Sequence, residues 1–235
     1  MTDVMVLFYV IPSLYRYLSG LMVNMEILPT ISLAVAAFLL GACPFSLWIG
    51  YWFLGKDIRD YGDGNPGTAN VFRAGGHKSG YLAIFLDIAK GVPFVFLAHS
   101  SFGLHDGAIV AVALSAILGH AFSPFLRWRG GKALAVTSGV LLALPQHVII
   151  IVFVGFLILG FLLIEVDAWT AMFSAIGTLA YLAVSGGSSW ESLFMLCVLA
   201  ILAVKHSEEL HAIPGAKGRL VRWLRTITRG TGLNI

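Results

Sequence analysis

Residues 147–164 read HVIIIVFVGFLILGFLLI, a run with no Asp, Glu, Lys or Arg. About 20 residues of this kind cross the hydrocarbon core of a bilayer as a helix. A strand of a transmembrane barrel would alternate apolar and polar positions over about ten residues instead. The stretch therefore reads as a membrane helix, and the rest of the chain agrees with it. Hydrophobic residues fill 58% of the 235 positions and charged residues 11%, against about 25% charged in an ordinary soluble domain. The mean hydropathy is +0.88. These values exclude a water-soluble globule, whose surface could not be covered. They also exclude a disordered chain, which is poor in apolar residues and rich in charge.

Comparable runs at 30–54, 79–98, 107–126, 133–146, 168–185 and 190–204 predict, with 147–164, an all-α polytopic protein of about seven transmembrane helices. Two of them, 133–146 and 190–204, are shorter than a full span and suit a tilted, kinked or re-entrant segment. Residues 4–23 are apolar but interrupted by Pro12, Arg16 and Gly20, which leaves a surface helix, an extra span and a start-site artefact all open. The chain thus divides into an N-terminal extension (1–25), a seven-span membrane domain (26–213) and a basic tail (214–235).

The basic residues fix the expected orientation. Lys56, Arg59, Arg73 and Lys78 lie in one connection, and Arg127, Arg129 and Lys132 in another. Lys205, Lys217, Arg219, Arg222, Arg225 and Arg229 follow the last span, leaving only Arg16 and Lys90 elsewhere. By the positive-inside rule these three segments are cytoplasmic, and the tail ends inside. In the tail, Arg219, Arg222 and Arg225 at helical spacing suit an interfacial helix on anionic lipid, or a plain positive-inside anchor. Cys43 and Cys197 sit in apolar runs and read as reduced, small hydrophobic residues.

Two connections carry chemistry. Seven glycines occur from Gly55 to Gly80, interleaved with Asn65, Thr68, Asn70 and Arg73. Glycine lets successive backbone N–H groups converge on one anion, Asn and Thr add donors, and Arg73 adds a forked cation suited to phosphate. No GKS or GKT follows, so this is not a Walker loop. A phosphate site and a flexible turn fit the composition equally. In the second connection Gly130, Gly131 and Lys132 precede a resumed helical pattern, which places Lys132 near a helix N-terminus, again a natural anion site. Inside the second span, Asp87 and Lys90 share a helix face and are expected to pair beside the site. His120 and His206 fall at the depth of the glycine loops, whereas His99, His105, His147 and His211 show no ligand spacing. No metal, cofactor or nucleic acid is implied.

Taken together, GKDIRDYGDGNPGTANVFRAGG (55–76), LDIAKG (86–91) and GHAFSPFLRWRGGK (119–132) resemble the bacterial acyl-phosphate-dependent glycerol-3-phosphate acyltransferases, the PlsY family. The likeness covers roughly residues 26–215. It implies a seven-span protein with its conserved loops on the cytoplasmic side. It implies transfer of a fatty acyl group from acyl phosphate to glycerol 3-phosphate, giving lysophosphatidic acid and phosphate at the start of phospholipid synthesis. Carried over residue by residue, it assigns substrate phosphates to Gly64, Asn65, Gly67, Thr68, Asn70, Arg73, Gly130, Gly131 and Lys132, with Asp87, Lys90 and His120 in support. It also implies substrate-assisted proton transfer without a dedicated base, His206 being the candidate for a catalytic role. No histidine has an Asp five residues on, so the HxxxxD motif of the acyl-CoA-type enzymes is missing.

The chain departs from that pattern in several places. Asp63 stands where the family usually has the Ser of GSGN, and Ala42 where it has a Ser in the first span. After GGK the usual GVAT becomes Ala133, Leu134, Ala135 and Val136, with Thr137 one place late. The closing HRENI becomes His206, Ser207, Glu208, Glu209 and Leu210. Carboxylates at Asp63 and Glu209 are unexpected beside a phosphate. Two other readings therefore stand beside the acyltransferase: a paralogue acylating another small acceptor, and a non-catalytic scaffold or carrier of anionic solutes using Asp87 and Lys90.

Overall fold

The computed structural model describes residues 26–212, and no strand occurs among them. The readings of 4–23 and of the Arg219, Arg222 and Arg225 helix lie outside those residues. Helix α1 covers 26–42. Pro44, which has no N–H to donate, interrupts the ladder, and α2 (Phe45–Ile49) resumes it with a π-type turn over Gly50–Leu54. A 3₁₀ turn (Ile58–Asp60) and the short α3 (Thr68–Arg73) occupy the first long connection. The second span is α4 (His77–Ala89) followed by α5 (Pro93–Ser100), with Pro93 at the first turn of α5. Then come α6 (Asp106–Ala121), α7 (Leu134–Ala143), α8 (His147–Leu163), α9 (Asp167–Ser185), α10 (Ser189–Lys205) and α11 (Ser207–Leu210).

Helix is present in each of the seven expected runs. Among the described residues, four segments are long and apolar enough to cross a membrane: Glu26–Leu54, His77–Ser100, Asp106–Leu126 and Asp167–Ser185. At about 1.5 Å per residue, α7 with its 10 residues reaches roughly half of a ~30 Å core. It is a short helix enclosed by protein rather than a full span. Val136, Val140 and Leu141 on it are fully buried. Its Gly139 lies against the Ile88 carbonyl of α4, where any Cβ would collide with backbone. Small residues let membrane helices approach this closely. A helix can end at membrane depth only where protein surrounds the freed polar groups. By contrast, α8 is apolar on all sides, with Ile151 and Ile158 exposed on its outer face.

The elements run alternately toward and away from one end of the bundle. Glu26, at the start of α1, pairs with His105, which caps α6, at the far end. The connections 43–76 and 122–133 and the segment 206–212 gather at the near end, joined by Lys132 contacts to Asp63 and Glu209. Segments rich in Lys and Arg thus share one face. A buried apolar core spanning α5 to α10 (Val95, Val112, Phe153, Phe194, Leu202) fixes the positions of their ends.

Candidate functional site

At the near end, a cavity of about 280 Å³ opens into a wider vestibule of about 1140 Å³. Asp63, Asn65, Lys132 and His206 line both, so they form the neck between them. The first loop reaches the neck because Gly62 and Gly64 both have positive φ, +60° and +72°. Only glycine adopts this left-handed backbone without strain, and the turn it makes leaves Asp63 projecting between them.

The Asp63 carboxylate collects the donors around it. Its Oδ1 accepts from the Asn65 backbone N–H at 3.1 Å and from Asn70 Nδ2 at 2.9 Å. Its Oδ2 accepts from Lys132 Nζ at 2.5 Å, and Arg73 stands 3.7 Å away. Lys132 is held from its other side by Glu209. Burial pushes the Asp63 carboxyl up, but Lys132, the Asn65 N–H and Asn70 outweigh it and hold it at about 2. Asp63 is therefore an anion at any physiological pH. Asn70 also donates to the Asn65 carbonyl at 2.9 Å and accepts from Arg73 at 2.8 Å. It is the brace that orients both Asp63 and Arg73. Arg73 reaches on to Asp167, at the first turn of α9, at 3.7 Å.

The second loop arrives from α6. Gly131 N–H donates to the His120 carbonyl at 3.1 Å, and the Gly130 carbonyl accepts from Lys205 Nζ at 2.9 Å. The chain is then pinned from both α6 and α10, and Lys132 stands two residues before α7 begins. His206, which follows α10, is 1% exposed. Its Nδ1 faces the Leu202 carbonyl at 2.9 Å. A carbonyl only accepts, so Nδ1 carries the proton and Nε2 a lone pair. Nε2 has no hydrogen-bond partner among the described residues, and the ring lines the cavity. Burial pushes the His206 imidazolium below its ordinary value, which keeps the ring neutral. At the vestibule, Arg59 is committed to Asp57, which it meets at 2.6 Å, and this holds the Asp57 carboxyl well below the usual range.

Deeper in the bundle, Lys90 Nζ meets Asp87 Oδ1 at 2.7 Å and donates to the Cys43 carbonyl at 2.9 Å. Ser46 Oγ donates to Asp87 Oδ2 at 2.6 Å, and His120 Nδ1 lies 4.0 Å from the carboxylate. Both charges are paired within the protein, a different disposition from the exposed charge path a carrier would use. Asp87 and His120 reach the cavity wall, but Lys90 lies behind it.

The expected residues therefore sort by position. Asn65, Gly67, Thr68, Arg73 and Lys132 line the inner cavity, Gly64 and Gly130 the vestibule, while Asn70 and Gly131 stand behind the wall. Of the departures, Asp63 and Glu209 converge on one lysine, Ser207 is an exposed vestibule residue, and Val136 is buried in α7 away from the cavity. Ala42 offers only its carbonyl, which accepts from Ser123 Oγ at 2.6 Å. Sequence reasoning missed Asp167, which reads as an ordinary acid at a helix start. It also missed Leu157 and Phe161, the apolar wall from α8. On a helix apolar all round, nothing in the sequence marks which face meets a cavity.

A family profile described as glycerol-3-phosphate acyltransferase matches residues 31–214. A glycerol-3-phosphate acyltransferase of Listeria welshimeri is 34% identical over 203 residues, 83% of this chain and 98% of the relative. Crystal structures of PlsY, an integral membrane glycerol 3-phosphate acyltransferase, superpose in two forms. The glycerol 3-phosphate form gives a TM-score of 0.71 and the lysophosphatidic acid form 0.68. Each is 26% identical, covering 88% of this chain and 94% of its own.

Proposed function

The chain belongs to the glycerol-3-phosphate acyltransferase family and is a multi-pass membrane acyltransferase; from that premise we propose how its cavity works and which donor it takes. Its reaction acylates glycerol 3-phosphate to lysophosphatidic acid, and the donor is an acyl phosphate. The acceptor hydroxyl oxygen attacks the acyl carbonyl carbon, the bond from that carbon to the phosphate oxygen breaks, and inorganic phosphate leaves. The hydroxyl proton ends on the departing phosphate, so no side chain needs to act as base. An acyl phosphate is already an activated anhydride, and what the protein supplies is positioning and exclusion of water.

The observation that carries this reading is the neck. Asn65 N–H, Arg73 and Lys132 surround one point between vestibule and cavity, as a bound phosphate requires. Leu157 and Phe161 give the cavity an apolar wall for the acyl chain. His206 lines the cavity with its Nε2 buried and unpartnered, and it is the candidate to orient the acceptor hydroxyl. Gly64, Gly67, Thr68, Gly130 and Gly131 shape the phosphate seats, and Asp87, Lys90 and His120 brace their floor. The loops face the cytoplasm of a bacterial inner membrane, in line with their Lys and Arg, and membrane lipid surrounds the bundle.

The test is phosphate release from palmitoyl phosphate by the detergent-solubilised full chain, with and without glycerol 3-phosphate. Release that depends on the acceptor and yields lysophosphatidic acid is expected. Release dependent on a different acceptor, or none from folded protein, would overturn the reading.

A further inference from the structure

The two acidic departures are one structural unit. Asp63 and Glu209 are far apart in sequence, yet both carboxylates contact the same Lys132 ammonium. Asp63 also takes the Asn65 N–H and the Asn70 side-chain amide, with Arg73 at 3.7 Å. Two backbone or amide donors, one ammonium and a nearby guanidinium are the set that a phosphate oxygen seeks. Here that set already holds an anion, and the anion belongs to the chain.

We propose that Asp63 is an internal competitor for substrate phosphate, seated among the phosphate donors and released only when a substrate phosphate displaces it, with Glu209 holding Lys132 in the resting arrangement. This rests on the acyltransferase reading and adds a specificity-determining pair to it. Asp63 can leave its seat because it sits between Gly62 and Gly64, and its side chain is 28% exposed. The displaced carboxylate has the vestibule to move into. A ligand bringing more charge and more acceptor oxygens than a carboxylate gains most from the exchange, and a phosphate dianion has both. A carboxylate monoanion has no such advantage over Asp63. The pair thus sets a threshold on ligand charge, and it costs apparent affinity for every phosphate.

The experiment uses the full chain in detergent and two readouts. The first is binding of inorganic phosphate, followed as the rise in unfolding temperature. Asp63→Asn is expected to bind phosphate at least about fivefold more tightly than the wild type, the factor for removing one like charge at about 4 Å in water. Asp63→Glu, which keeps the charge, should not gain. The second readout is the KM for each substrate. Asp63→Asn should lower it by a similar factor, and the substrate whose KM falls is the one whose phosphate takes the seat. Weaker phosphate binding, or a raised KM, in an Asp63→Asn protein as stable as the wild type would make Asp63 a positioning residue for Lys132 and overturn the proposal. Should that variant fold poorly, Glu209→Gln frees the lysine without touching the loop, with a smaller gain in the same direction expected and no gain counting against. Phosphate titration reads the seat even if no acyl transfer occurs, so failure of the competitor and failure of the acyltransferase reading give different results.

Discussion

Asp87 and Lys90 lie one helical turn apart, whereas Lys132 is 69 residues from Asp63 and 77 from Glu209. Both groupings pair lysine with carboxylate, but their surroundings differ. The Asp87 and Lys90 side chains are 2% and 1% exposed, and Ser46 and the Cys43 carbonyl each add a hydrogen bond to one of them. At the neck, Lys132 is 20% exposed and its partners 28% and 29%. A buried pair cannot exchange partners, since an unpaired charge there has no water to turn to. A pair at a partly exposed neck can exchange one carboxylate for another anion at little loss. The deep pair is therefore a brace, and the neck is where we propose that phosphate binds.

Substitutions can test that contrast. Lys132→Ala should lower acyl transfer by about 100-fold or more, the usual effect of removing one donor to developing charge. Lys78→Ala, on the exposed start of α4, should leave the rate close to that of the wild type. Equal losses in the two would erase the distinction. Asp87→Ala should destabilise the fold by roughly 3–5 kcal/mol, because it strands a buried ammonium. Thermal unfolding in detergent measures this, and Asp87→Ala with Lys90→Met should recover much of the loss. If Asp87→Ala instead unfolded like the wild type but lost substrate affinity, the brace would be a binding group.

Arg73→Lys should cost about tenfold in activity, the worth of one charge-assisted hydrogen bond, since a point charge cannot serve Asn70, Asp63 and Asp167 together. A fully active variant would move Arg73 out of the site. The smallest effect concerns pH. With its carboxyl held at about 2, below the ordinary value, Asp63 contributes stability that is complete above about pH 4 and lost as pH falls through 2. Between pH 5 and 8 it does not titrate. Binding of glycerol 3-phosphate, a phosphate monoester, should over that range follow the ligand's second ionisation near pH 6. A further step that disappears in Asp63→Asn would contradict this assignment.

Much of this was legible before any coordinates. The loops containing Asn65, Arg73 and Lys132 announce themselves because Gly, Asn, Arg and Lys are rare in so apolar a chain. Asp87 and Lys90 at helical spacing announce a pair in the same way. Asp63 and Glu209 each stood out as a misfit, yet their common contact with Lys132 did not. Helical spacing carries no information about segments some seventy residues apart. That 133–146 is too short for a full span is legible in the sequence, but its close packing against Ile88 is not.

By itself the sequence determined that the chain is helical, lives in a membrane and turns its basic loops to one face. Apolar run length and charge placement are read directly by the bilayer, residue by residue. Only the tertiary structure decided that Asp63 and Glu209 meet at Lys132. Ion pairing depends on distance in space, and only the folded bundle brings loop, helix start and chain end within hydrogen-bond reach.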